Sequence, residues 1–151
     1  MKISVLSKIP KKAEDPLALF LFSNRLDPFP YLEWFSKEDQ KTVNTLYQHM
    51  RGLQDIEGKE KEISVLYFPT GNPAPKIFLV GMGEEEKVSI EKFRVAASHL
   101  CRILRKGNRS FHLGVSFPSL GTFPLQDGVQ GFVEGFILRN YTFEKYCQKK
   151  A

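Results

Sequence analysis

Side chains able to move protons or hold a metal are sparse in this chain of 151 residues. The three histidines are His49, His99 and His112. None falls in the His-Glu-x-x-His spacing that sets two imidazoles on one helix face around zinc, and none lies beside a cysteine or aspartate cluster in sequence. His49 and His99 sit in segments of helical period and His112 on the polar side of an alternating segment, so structural or surface positions are expected for all three. The only cysteines, Cys101 and Cys147, lack metal-like spacing and point to a reducing compartment without a disulfide framework. Cys101 also lies on an apolar helical stripe, which suits a packed thiol better than a nucleophile. No residue is assigned a catalytic or metal-binding role on these grounds.

Two loops could instead bind an anion. The apolar run "IFLV" ends in Gly81-Met82-Gly83 and leads toward a helical segment. A glycine turn from strand to helix can offer backbone N–H groups and a helix N-terminus to a phosphate. Against this, Glu84, Glu85 and Glu86 follow at once and would repel the anion. There is no Gly-Lys-Ser/Thr and no third glycine at the dinucleotide spacing. The three acids fit better as charges at a helix N-terminus. The second loop runs from Ser119 to Pro124, and its Ser-x-Gly-x-Phe-Pro pattern resembles the second phosphate-binding loop of macro domains, which bind ADP-ribose. Gly81, Gly83, Ser119 and Gly121 therefore form the candidate ligand set, for ADP-ribose or another phosphorylated small molecule, as the alternative to a domain without a ligand.

The elements that must position these residues follow from periodicity. Ile3 to Leu6 and the continuous apolar run Leu17 to Phe22 read as strands, the latter buried on both faces. Pro28 and Pro30 exclude a regular element after it, and the aromatic residues there are expected over an edge of the core. Ser36 caps a helix whose Val43, Leu46, Tyr47 and Met50 share one face, and Gly52 stops it. Ile63 to Phe68 and Ile77 to Val80 read as a hairpin with a long loop. A second helix, capped by Ser89, carries Ile90, Phe93, Ala97, Leu100, Cys101 and Leu104. Phe111 to Phe117 alternates as a strand with one apolar face, a loop follows through Gly128, and Val129 to Ile137 marks a last helix. Gly128, Gly131 and Gly135 share its other side, which predicts close packing on a neighbour. Interleaved helices and strands indicate an α/β domain with a mixed β-sheet covered on two sides, a single domain over residues 1–151.

Composition fits that class: 42% of residues are apolar and 26% charged, so a soluble globular domain is expected. No apolar run approaches the roughly 20 residues of a membrane helix, and the N-terminus lacks the apolar stretch of a secretory signal. The net charge of +5 is dispersed, and clusters such as Arg102-Arg105-Lys106-Arg109 read as solvated helix ends. Without aromatic–basic interleaving or a reading helix, the charge does not argue for nucleic acid.

Two stretches resemble a particular family. In "LVGMGEEEKVSIEKFRVAASHLCRIL" a strand ends in Gly-x-Gly and a helix follows with Phe93-Arg94-Val95-Ala96-Ala97. In "VEGFILRNYTFEKYCQKK", Glu134-Gly135 precedes Tyr141, Phe143 and Tyr146, with Cys147 where a lysine is usual. Both are similar to the N-terminal domain of the M17 leucyl aminopeptidases (cytosol aminopeptidases). The resemblance implies a macro-domain-like three-layer α/β/α fold that is itself non-catalytic. It also implies a following C-terminal catalytic domain with two divalent metals, zinc or manganese, and a cytoplasmic hexamer. The aspartates, glutamate and lysine that hold those metals belong to that domain, so no catalytic or metal residue carries over here.

Overall fold

The structure is a computed structural model and describes residues 2–5, 16–67, 76–104, 112–118 and 120–150. Its strands are β1 (Lys2–Val5), β2 (Leu17–Leu21), β3 (Ile63–Tyr67), β4 (Lys76–Gly81) and β5 (His112–Ser116). They lie in the order β1-β5-β2-β4-β3. Every junction is parallel except β3–β4, which is antiparallel. The helices are α1 (Lys37–Gly52), α2 (Ile90–Leu104) and α3 (Leu125–Lys150).

Strand β2 shows why the sheet must be covered twice. All five of its residues are buried. Ala18 and Phe20 face one core with Phe93, Leu100, Phe132 and Phe136 of α2 and α3. Leu17, Leu19 and Leu21 face a second core with Val43 and Tyr47 of α1. Burying each such large side chain contributes about 1.5–3 kcal/mol. The result is the three-layer α/β/α arrangement with a mixed β-sheet, α1 on one face and α2 with α3 on the other.

Local signals start the helices. The Ser36 hydroxyl accepts from the Asp39 N–H at 3.2 Å and donates to the Asp39 carboxylate at 2.9 Å. The shorter acid thus takes the hydroxyl proton instead of reaching back to the cap's own N–H, as a longer glutamate does. Ser89 caps α2 by accepting from the Lys92 N–H at 3.2 Å. The α2–α3 contact is glycine-lined. A Cβ added at Gly131 would lie 2.6 Å from the Ile90 carbonyl oxygen, and one at Gly135 would lie 2.3 Å from that of Arg94.

Three expectations change. Strand β5 is buried on both faces, not one, because it inserts between β1 and β2 instead of lining an edge. Phe29, Tyr31 and Phe35 pack under α1, with Phe29 and Tyr47 ring centroids 4.5 Å apart, and not over an edge. Helix α3 begins at Leu125, four residues before the apolar stripe, because the Pro124 carbonyl accepts the Asp127 N–H at 3.0 Å and so starts the first turn.

Candidate functional site

In an open parallel sheet, ligands bind beyond the carboxyl ends of the strands. Here the ends of β5, β2 and β4 lie side by side. The loops leaving them are residues 117–124, 22–31 and 82–89, so both glycine loops singled out from sequence meet at this end of the sheet.

The first loop has no backbone donors to spare. The Gly81 N–H donates to the Glu62 carbonyl at 2.7 Å, that of Met82 to Leu21 at 2.9 Å, and that of Gly83 to Gly58 at 2.8 Å. An anion cradle needs such groups unpaired and pointing outward. The segment that takes them, residues 57–62, is itself pinned. The Glu62 carboxylate accepts from the Glu57 N–H at 2.9 Å and from the Gly58 N–H at 2.6 Å. Lys92 of α2 holds Glu60 at 2.8 Å and keeps its carboxyl below the usual range.

Gly81 is required by contact: a Cβ there would lie 2.0 Å from the Lys59 carbonyl oxygen. Gly83 is required by conformation, with φ at +80°.

The three glutamates do not cap α2. Glu85 to Lys87 forms a short 3-10 turn, and Ser89 provides the cap. Asn24 Nδ2 donates to both Glu86 carboxylate oxygens at 2.8 and 2.9 Å, while the Glu85 N–H donates to Asn24 Oδ1 at 3.1 Å. Arg25 pairs with Glu85 at 2.9 Å, and Lys87 with Glu84 at 3.1 Å. The acids therefore fasten the loop after β4 to the loop after β2. Nothing local in sequence marks Asn24 as their partner, since it lies about sixty residues away.

A cleft of about 520 Å³ remains between the acids and the second loop, lined by Glu85, Glu86, Val88, Gly121, Thr122 and Phe123 among others. Gly121 is exposed at φ +42°, in a turn closed by the Phe123 N–H on the Leu120 carbonyl at 2.8 Å. Ser119 lies outside the described residues. The structure thus brings Gly81, Gly83 and Gly121 to one end of the sheet. The cleft wall between them carries two carboxylates, which suits a phosphate poorly.

The remaining candidates are dispersed. His49 is exposed in the last turn of α1, and His99 is half-buried on α2. His112 starts β5, and Cys147 lies in the far part of α3. Cys101 is fully buried, its thiol 3.9 Å from the Phe136 carbonyl oxygen. Among the described residues no three His, Cys, Asp or Glu side chains gather as metal ligands would. These residues do not fit a two-metal centre.

Residues 35–150 match the N-terminal domain of the cytosol aminopeptidase family. The chain is 30% identical to a probable cytosol aminopeptidase of Aquifex aeolicus over 135 residues, 89% of this chain and 25% of that protein. It is 29% identical to one of Thermosynechococcus vestitus over 140 residues, 89% and 26% of the two chains. It therefore spans about a quarter of the length of these relatives. Among solved structures, the macrodomain of Mycobacterium tuberculosis DarG superposes with a TM-score of 0.64 over 91% of both chains, at 14% identity, which speaks to the fold alone. With a match over residues 35–150, the chain belongs to the cytosol aminopeptidase family, as its N-terminal domain.

Proposed function

We propose that this chain is the single, non-catalytic N-terminal domain of a cytoplasmic, metal-dependent leucyl aminopeptidase that removes N-terminal amino acids from peptides. The match over residues 35–150, in a chain covering a quarter of its relatives, is the observation that carries the reading. The C-terminal domain supplies two divalent metals, zinc or manganese, and all the peptide chemistry. This domain packs on it and contributes to a hexamer. The exposed, adjacent Ile137 and Leu138 of α3 supply apolar area for such packing, since large apolar side chains exposed together favour association. The Gly121 cleft, with its two carboxylates, takes no part in the peptidase reaction.

The test is hydrolysis of leucine anilide with zinc or manganese added. The 151-residue chain is expected to give no turnover above metal alone. The same chain joined to the remaining three quarters of a relative is expected to turn over. Activity in the short chain by itself would overturn the non-catalytic assignment.

A further inference from the structure

Beside the end of β4, the turn at residues 57–62 faces the first two turns of α2 across a recess of about 120 Å³. The floor of the recess is apolar. Met82 and Ala96 are buried there, Val95 is half-buried, and Gly81 has no side chain to fill the space. The rim carries both signs of charge. The turn presents Glu60 and Lys61, and the helix presents Glu91 and Lys92.

These four charges form two diagonals. One is closed: Lys92 Nζ reaches Glu60 Oε1 at 2.8 Å and so joins helix to turn. The other, from Lys61 to Glu91, is open. Lys61 pairs with no acid among the described residues. Glu91 is held through Oε2, by Arg94 Nη1 at 3.2 Å, and its Oε1 pairs with no cation among the described residues. The wall that carries Lys61 is preformed, because the Glu62 carboxylate fixes the turn by accepting from the Gly58 N–H at 2.6 Å. An open pair of opposite charges above an apolar floor complements a ligand with both charges and an apolar body. The attraction is screened less over such a floor than in open water.

We propose that this recess binds a free α-amino acid with a small aliphatic side chain. The carboxylate lies on Lys61, the ammonium on Glu91, and the side chain over Met82, Val95 and Ala96. Size follows from the volume. An apolar cavity of about 150 Å³ takes the six carbons of benzene, so this recess takes about four or five, the side chain of leucine or norvaline. A simple anion or a simple cation leaves one member of the open pair unmatched. The recess shares no lining residue with the Gly121 cleft. Binding here is a property of this chain alone. Only its biological meaning rests on the proposed peptidase reading, under which free amino acids are the products released.

The test follows the methionine methyl signals of the 151-residue chain by NMR during titration with L-leucine at pH 6. Met82 reports the floor, and Met50, packed against the core on the other face of the sheet, is the reference. The Met82 methyl is expected to shift saturably, with a Kd of about 1 mM for a ligand this small, while Met50 stays in place. L-Leucinamide lacks the carboxylate, and 4-methylpentanoate lacks the ammonium. Each is expected to bind about three- to tenfold more weakly, the scale of one charge-assisted contact at a surface. Alanine lacks three of the side-chain carbons and should lose about fourfold for each. Lys61→Gln should erase the difference between leucine and leucinamide, and Glu91→Gln that between leucine and 4-methylpentanoate. Binding of either analogue as tight as that of leucine would overturn the proposal, as would differences that persist in both variants. So would parallel movement of Met82 and Met50, which marks an effect on the whole domain. The leucine anilide assay reads turnover and this titration reads binding, so either reading can fail alone.

Discussion

Replacing Gly135 by alanine tests the α2–α3 seam directly. Two opposing terms act. Alanine in a helix interior gains about 1 kcal/mol over glycine. The added methyl, however, lies 2.3 Å from the Arg94 carbonyl oxygen and 2.8 Å from its Cα. Both are backbone atoms, so no side-chain rotation gives relief. Reaching an ordinary contact means moving α2 and α3 apart by about 1 Å, against a core that holds Phe93, Leu100, Phe132 and Phe136. Overpacking of this kind costs about 1–3 kcal/mol, and a rigid obstacle puts it at the upper end. The net loss should be about 1–2 kcal/mol, or a fall in Tm of about 2–8 °C for a domain of this size. Gly131→Ala meets a carbonyl at 2.6 Å and should follow the same direction less steeply. Gly52→Ala is the control: nothing lies within 4 Å of its added Cβ, so it should gain a few tenths of a kcal/mol. Urea unfolding of the three variants gives the ranking. A Gly135→Ala midpoint at or above wild type, with an unchanged slope, would refute the account of the seam.

Four further outcomes are expected. Gly81→Ala, whose methyl would lie 2.0 Å from the Lys59 carbonyl oxygen, should lose about 3 kcal/mol and leave the amides of residues 81 and 83 poorly protected in hydrogen exchange. Tyr47→Phe removes a hydroxyl that donates to the Leu26 carbonyl at 2.6 Å, and should cost about 1–2 kcal/mol in denaturant unfolding. Burial pushes Tyr47 up to about 12 from 10, so the unfolded chain ionises first; stability should hold below pH 10 and fall as pH rises from 10 toward 12, less steeply in Tyr47→Phe. Calorimetry with ADP-ribose at millimolar concentration should show no heat, because the N–H groups of the first glycine loop are already bonded; a saturable isotherm would contradict that reasoning.

Particular residues show which features a sequence reveals. Leu17 to Leu21 disclosed two-sided burial because five apolar residues in a row leave no face for water. Ser36 and Ser89 were legible as caps because a cap is satisfied within one turn. The glycines of α3 were legible as a contact surface because their intrinsic cost needs a compensating neighbour. Strand order was not legible. Periodicity tells which residues share a face, but His112 to Ser116 carry nothing local that places them between β1 and β2, and the polar look of Gly114 and Ser116 suggested a solvent face they do not have. The same limit applied to the first glycine loop. Gly81 and Gly83 stood out in sequence as a glycine turn with donors to offer, yet the groups that fill those donors belong to Gly58 and Glu62, and those bonds form only once the chain has folded back.

The turn at residues 57–62 therefore acts as a built-in stopper. It holds the amides of Gly81 and Gly83 on the Glu62 and Gly58 carbonyls, so neither N–H is left for an anion. Shape comparison alone is blind to this, because two scaffolds can superpose closely while their loop amides hold different partners. Among chains that share this architecture, the useful question is which carbonyls the amides beyond the central strands already hold. Loosening that stopper, without touching the sheet, would free the amides of Gly81 and Gly83, and hydrogen exchange at those two positions would report it.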